Sequence, residues 1–347
     1  MNKHIRLLFA VTLIAVLLVA GCQPAAAPTA TPAPTKTPVP PTKAPEPTAT
    51  PVPPGPKAGG RVVLAHRQEP DRYWGPITGL SVSREVGMLM NHSLIAVNDE
   101  LEYIPVLVTE VPTAQNGGIS GDSLTWTFHL RDDVKWHDGE PFTSADVKFT
   151  YEVIMDEEND VVSRVGWGRI TSCETPDDYT VVFKFEQVDA PFLMRVSNAE
   201  ILPKHILEGL PSAELTFADW FRAPVGTGPF MFKEWVAGDH ITVVKNPDYF
   251  LEGQPYLDEI VYRIVPDMNT LLNMTETGEV DIQPRVQDDV AELLDDMPHV
   301  ERITVQSLTP WLIWINMNHP LFKDVRTRQA LAYGFDKEII NEKVYRG

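Results

Sequence analysis

The sequence predicts an α/β fold, a body of mixed strands and helices in two domains, carried behind an N-terminal leader and spacer. Three observations lead there. The chain has 347 residues, 43% of them hydrophobic and 9% aromatic, which is enough to bury a sizeable core and too apolar for disorder throughout. Stretches such as Leu124-Thr125-Trp126-Thr127-Phe128-His129-Leu130 alternate apolar and polar residues with the two-residue period of half-buried strands. Between such stretches fall segments of helical period that open on Thr or Asp caps. Charge narrows the partners: 29 Lys and Arg stand against 48 Asp and Glu, a net charge of -19. That charge repels a phosphate backbone, so no nucleic acid is expected. Two cysteines support neither a disulfide framework nor a four-thiolate zinc site.

The leader comes first. Lys3 and Arg6 form a short positive region, and the apolar run 7–20 is too short to span a bilayer comfortably, so 1–21 reads as a secretory signal. It ends in Val19-Ala20-Gly21-Cys22, which resembles the lipobox where a signal peptidase cuts and the new N-terminal Cys22 receives lipid; an uncut signal anchor is the other reading. Residues 22–57 are almost only Pro, Thr and Ala and hold much of the chain's 31 prolines. Nothing there can pack. As polyproline II the segment is a semi-rigid spacer reaching on the order of 100 Å, at about 3.1 Å per residue, and as a disordered linker it gives the same tether. A lipid at one end and a folded body at the other place the protein outside the cytoplasm. Cys173 is then expected as a buried small hydrophobe.

In the body, Val62-Val63-Leu64-Ala65 opens as a buried strand, and Tyr179-Thr180-Val181-Val182-Phe183-Lys184-Phe185 repeats the strand period of 124–130. Between them Asp138-Gly139 supplies a tight turn. Thr143 and Asp146 then make a capping-box-like start to a helix with Val147, Tyr151, Ile154 and Met155 on one face. Further on, 269–277 reads as a short helix stopped by Gly278, followed by a strand at 279–282 and a helix at 288–297. Trp311-Leu312-Ile313-Trp314-Ile315-Asn316-Met317 is apolar on both faces, as a central strand is. Asp324 caps a helix at 325–333, and Asp336 caps another that starts at Lys337.

The stretch 130–147, with Val134-Lys135-Trp136-His137-Asp138-Gly139-Glu140-Pro141-Phe142-Thr143 at its centre, resembles the signature of the family 5 solute-binding proteins, the oligopeptide, dipeptide and nickel binding subunits of ABC importers. Four more stretches follow in that family's order: Gly59-Gly60-Arg61-Val62-Val63, Val225-Gly226-Thr227-Gly228-Pro229-Phe230, Thr277-Gly278-Glu279-Val280-Asp281-Ile282, and 324–333 with Asp336 beyond. The resemblance implies a two-lobed fold of the type II, cluster C periplasmic-binding-protein kind with mixed sheets. It implies domain I from 58–92 and 202–318, domain II from 93–201 and the start of domain III at 319–347, with most of the second lobe expected beyond the last residue. One departure stands out: where the family shows Leu-Asp-Pro after its first strand, this chain reads Arg72-Tyr73-Trp74-Gly75-Pro76.

Ligand pockets lie at domain interfaces and favour aromatics with a few polar groups. With the resemblance, that points to the loop 77–81 with Ile77, Gly79 and Ser81, to Trp74 just before it, to the loop 163–167 after the capped helix with Trp167, and to Trp311. Trp126, Trp136 and the Asp138-Gly139 turn are expected to pack and turn the chain rather than touch ligand. His129, His137 and Asp138 lack metal-ligand spacing and are expected as solvated turn residues. Gly226-Thr227-Gly228 lacks the Gly-Lys-Ser/Thr ending of a phosphate loop and reads as a tight turn at the lobe boundary. No metal, cofactor or catalytic residue is expected.

Three functions remain after this. The resemblance implies a monomeric receptor that closes on a peptide or other small solute and hands it to an ABC permease driven by ATPase subunits. A lipid-anchored hydrolase is the alternative, but among 48 acidic residues a pair can always be found, and no Gly-x-Ser-x-Gly or His-Glu-x-x-His occurs. A sensor built on the same lobes also fits.

Overall fold

The computed structural model describes residues 57–286, 288–304 and 312–344, all within the unit Gly55–Gly347. Cys22, the leader, most of the spacer and Trp311 lie outside the described residues.

Nine strands form three sheets among the described residues. They are β1 (Arg61–His66), β2 (Ile95–Val97), β3 (Tyr103–Pro105), β4 (Thr125–His129), β5 (Ile170–Asp177), β6 (Thr180–Phe185), β7 (Phe230–Val236), β8 (His240–Lys245) and β9 (Glu259–Ile264). The largest sheet runs β1-β9-β8-β7. β1 pairs with β9 in parallel, from Arg61 opposite Glu259 to His66 opposite Ile264, while β9-β8 and β8-β7 are antiparallel. One face of this sheet is covered by helix Ser81–Met90, whose Val82, Val86 and Met90 pack with Tyr73 on Phe230, Ile241, Val243, Ile260 and Tyr262.

A second core surrounds the antiparallel sheet β4-β6-β5. Phe192, fully buried, stands at its centre with Phe185, Phe183, Trp126 and Phe128 around it at ring-centroid distances of 4.8, 5.3, 5.4 and 6.0 Å, all edge-on, the arrangement that ring quadrupoles favour. Helix Ser144–Met155 closes this core. Its start is the expected capping box, with the Thr143 amide donating to the Asp146 carboxylate at 2.9 Å. The same carboxylate takes the Lys204 amide at 3.0 Å, so a local cap also ties in a distant segment.

The two cores meet at a joint. Gly226 and Gly228 lie against the last turn of helix Ser81–Met90, where a Cβ on either would run into the Met90 backbone, and the Gly228 amide donates to the Met90 carbonyl at 2.8 Å. His137 spans the joint. Its Nδ1 accepts from the Gly226 amide at 3.0 Å and its Nε2 faces the Gly228 carbonyl at 3.0 Å, while its own amide donates to the Gly226 carbonyl at 2.8 Å. Those partners require a neutral ring with the proton on Nε2.

Several expectations change. His137 is not a solvated turn residue, because its partners lie 89 and 91 residues away, beyond the reach of a local reading. The strand expected at 279–282 is reduced to one bridge, Ile282 beside Leu64, since only Asp281 and Ile282 reach β1 and the Val63 amide is taken by the Asp281 carboxylate at 2.7 Å. Residues 312–316 form no strand among the described residues, and Trp314 is 88% exposed; an apolar stretch becomes a strand only where a partner strand takes its backbone groups. The helix at Val325–Gly334 forms behind its Asp324 cap, whose side chain accepts from the Arg326 amide. Cys173 is buried and free, and burial pushes its thiol up to about 12.

Candidate functional site

The loop between β1 and helix Ser81–Met90 is built from behind. The Asp71 Oδ1 accepts from the Ser83 hydroxyl at 2.6 Å, the Thr78 hydroxyl at 2.7 Å and the Arg72 amide at 2.8 Å. Thr78 Oγ1 in turn accepts from the Leu80 amide at 3.1 Å. The Arg72 guanidinium donates to the Ile77 carbonyl at 3.1 Å and the Thr216 carbonyl at 3.3 Å. Burial pushes the Asp71 carboxyl up, yet the Ser83 and Thr78 hydroxyls, the Arg72 amide and the Arg72 charge together outweigh it and hold the group below the usual Asp range.

Trp74 and Ile77 support the same loop from inside. Trp74 is fully buried, packs on Phe221 at 5.7 Å between centroids and donates through Nε1 to the Glu200 carbonyl at 2.8 Å. The Glu200 carboxylate accepts from the Gly75 amide at 2.9 Å; burial holds it above the usual Glu range. Ile77 and Thr78 are buried, whereas Gly79 and Ser81 are exposed. The backbone is extended at Thr78 (φ -119°, ψ 134°) and at Leu80 (φ -88°, ψ 123°). Gly79, between them, makes no hydrogen bond among the described residues and has open space where a side chain would stand.

A second loop, 156–167, lies alongside, tied on by the Val162 amide donating to the Pro76 carbonyl at 2.8 Å. Arg164 donates to the Asp156 carbonyl at 2.6 Å and also to the Asn159 carbonyl. At its end Gly166 takes a left-handed φ of 85° and presses on the Arg195 guanidinium, where any Cβ would collide. Arg195 and Arg169 both pair with the fully buried Asp189 carboxylate. Trp167 is placed in the core, at 6.3 Å from Tyr151 and 6.4 Å from Phe192 between centroids, and lines an apolar cavity of about 20 Å³, room for one water and no solute. The apolar loop residues that stand free are Val162, 65% exposed, and Val165, 83% exposed, with Glu157, Glu158, Asp160 and Ser163 exposed beside them.

The structure therefore brings two expected segments, 77–81 and 163–167, onto one surface. On it the backbone at Gly79 and the side chains of Ser81, Ser163 and Val165, with Val162 just ahead of them, face out, while Trp74, Ile77 and Trp167 back them. Sequence reasoning did not find Asp71, which holds its loop through Thr78 and Ser83 a few residues on, or Glu200 and Arg195, which meet Gly75 and Gly166 from far along the chain. Among the described residues no His, Cys, Asp and Glu side chains gather as a metal site, and no helix is long and apolar enough to cross a membrane.

The family pattern of the bacterial extracellular solute-binding proteins, family 5 (middle), matches residues 102–347. The oligopeptide-binding protein AppA of Bacillus subtilis is 31% identical over 296 residues, 84% of this chain and 53% of AppA. The solved structure of AppA in complex with a nonapeptide superposes with a TM-score of 0.73 at 29% identity, covering 83% of this chain and 56% of that one. The structure of AgaA from A. tumefaciens R10 in complex with agropinic acid gives a TM-score of 0.62 at 31% identity, over 69% of this chain and 46% of that one. The chain spans about half the length of the curated relatives it matches. Its mixed sheets and α/β order are those of the type II periplasmic binding proteins, and the chain belongs to the bacterial extracellular solute-binding proteins of family 5.

Proposed function

We propose that this protein is the solute-capturing component of an ABC importer, that its solute is a peptide, and that it hands the peptide unchanged to a membrane permease driven by ATPase subunits. Lipid on Cys22 and the spacer 22–57 hold it at the outer surface of the cell membrane, where it works as a monomer. In the domain arrangement of this reading, 58–92 and 202–318 form domain I, 93–201 domain II, and 319–347 the opening of domain III.

The observation that carries the reading is the extended stretch Thr78 to Leu80, fixed from behind and open at Gly79. A peptide is recognised on such a stretch by main-chain hydrogen bonds, with neighbouring side chains sorting its own side chains. Val162 and Val165, standing free beside it, supply the apolar contacts that ligand sites use most. AppA, solved with a nonapeptide, supports the choice of peptide over other solutes. Ser81 and Trp311 complete the proposed contact set, with Trp74, Ile77 and Trp167 shaping it.

Calorimetric titration of the purified protein with a random nonapeptide pool, followed by mass spectrometry of the recovered peptides, tests this. Saturable heat with peptides returned intact is expected. Cleaved peptides overturn the receptor in favour of the hydrolase, and an absence of binding heat overturns the peptide reading.

A further inference from the structure

We infer that Asp71, acting through Thr78 and Ser83, is a positioning residue that sets the Thr78 to Leu80 backbone in its extended form before any ligand arrives. This rests on the proposed peptide site.

Four observations converge on Asp71. A single carboxylate oxygen, Oδ1, accepts three hydrogen bonds, from the loop (Thr78), the helix (Ser83) and the chain entering the loop (Arg72). The Ser83 bond is reciprocal, since Ser83 Oγ also accepts the Asp71 amide at 2.9 Å, and Thr78 Oγ1 passes the hold on by accepting the Leu80 amide. Both hydroxyl partners are buried, Ser83 at 0% and Thr78 at 4% exposure, so water does not compete for them. The helix that follows has no side-chain cap of its own at Leu80, and a carboxylate near a helix N-terminus is favoured by the helix dipole. Gly79, one residue on, is the group left free. Charge-assisted bonds to a buried pair of hydroxyls are among the stronger ones, and a loop fixed beforehand spares the ordering cost that binding otherwise bears. Arg72 adds a second hold at the Ile77 carbonyl. This pair stands at and just before the point where the sequence departs from the family's Leu-Asp-Pro.

The test compares wild type with Asp71→Ala, Thr78→Val and Thr78→Ser. Amide hydrogen exchange is read at Leu80 and, as a control, at Phe183 in the core strand β6. Affinity for a random nonapeptide pool is read by calorimetry. Exchange at Leu80 should rise at least about tenfold in Asp71→Ala and Thr78→Val with Phe183 unchanged, and Thr78→Ser should restore it. Affinity should fall about thirtyfold in Asp71→Ala, as expected when the loop, freed of the three bonds to the carboxylate, has to be ordered on binding. Unchanged Leu80 exchange in Asp71→Ala, a rise shared equally by Phe183, or a loosened loop with full affinity each overturns the inference. A wild-type protein that binds no peptide refutes the peptide reading instead, and the exchange at Leu80 and Phe183 still decides whether Asp71 holds the loop.

Discussion

Replacing His137 with Ala removes both side-chain bonds that cross the joint between the two cores. The Gly228 carbonyl keeps a second donor, Asn246 Nδ2 at 3.0 Å, so it is not orphaned. The Gly226 amide has only His137 Nδ1 as acceptor among the described residues. The substitution therefore loses two hydrogen bonds and leaves one backbone donor unpaired, about 2–4 kcal/mol in total at pH 8. The pH dependence follows from the ring's neutrality. Burial lowers the His137 pKa below its ordinary 6.5, against the pull of the Gly228 carbonyl and Asp138. A depressed His pKa means that below about 6.5 the unfolded chain binds a proton that the folded one refuses. The stabilisation is thus complete above 6.5 and fades as pH falls toward the folded value. His92, which burial and the nearby His137 push down to about 4, titrates in both proteins and largely cancels in the difference. Urea titrations of wild type and H137A at pH 8, 6.5 and 5, followed by tryptophan fluorescence, should show a gap that is widest at pH 8 and narrows in acid. A gap under about 1 kcal/mol at pH 8, or one that stays constant down to pH 5, refutes the neutral bridging ring.

Gly226→Ala should fail to fold or lose more than about 3 kcal/mol, because its Cβ meets the Met90 backbone, which cannot yield as a flexible side chain can; Gly79→Ala, with open space around it, should keep the wild-type melting temperature, and equal melting of the two would refute the tight joint. Trp167→Ala should lower stability by about 3–5 kcal/mol, since the ring is 9% exposed in the core, and a protein that melts normally but loses peptide affinity would make the ring a direct contact instead. Cys22→Ser should release the protein from the membrane, because a serine hydroxyl does not replace the thiol as lipid acceptor, and labelled palmitate incorporated equally by both forms would disprove the lipid anchor.

Local signals were legible and long-range ones were not. The capping box at Thr143 and Asp146 shows in four consecutive residues and forms as expected, as do the alternating strands β4 and β6, because both depend on neighbours in sequence. β5 escaped the reading, since its pairing with β6 is interrupted by two register shifts, between Ile170 and Ser172 and between Glu174 and Asp177, which blur a two-residue period. His137 looked like one more polar residue in an Asp-Gly turn; its partners at Gly226 and Gly228 are visible only in three dimensions. The candidate loops were found through resemblance to a family. The residues that hold them, Asp71 for 77–81 and Arg195 for 163–167, carry no periodic or motif signal, and Trp167 illustrates that an aromatic in a loop's sequence can belong to the core behind it.

A peptide docked along Thr78 to Leu80, beside Val162 and Val165, as proposed above, would perturb those residues first. The most direct measurement is the amide NMR spectrum of the labelled protein during titration with a random nonapeptide pool. The largest shifts are expected at Gly79, Ser81, Val162 and Val165, with the amides of the sheet β1-β9-β8-β7 nearly still. Saturable shifts confined to residues elsewhere, with Gly79 and Val165 unmoved, would contradict it.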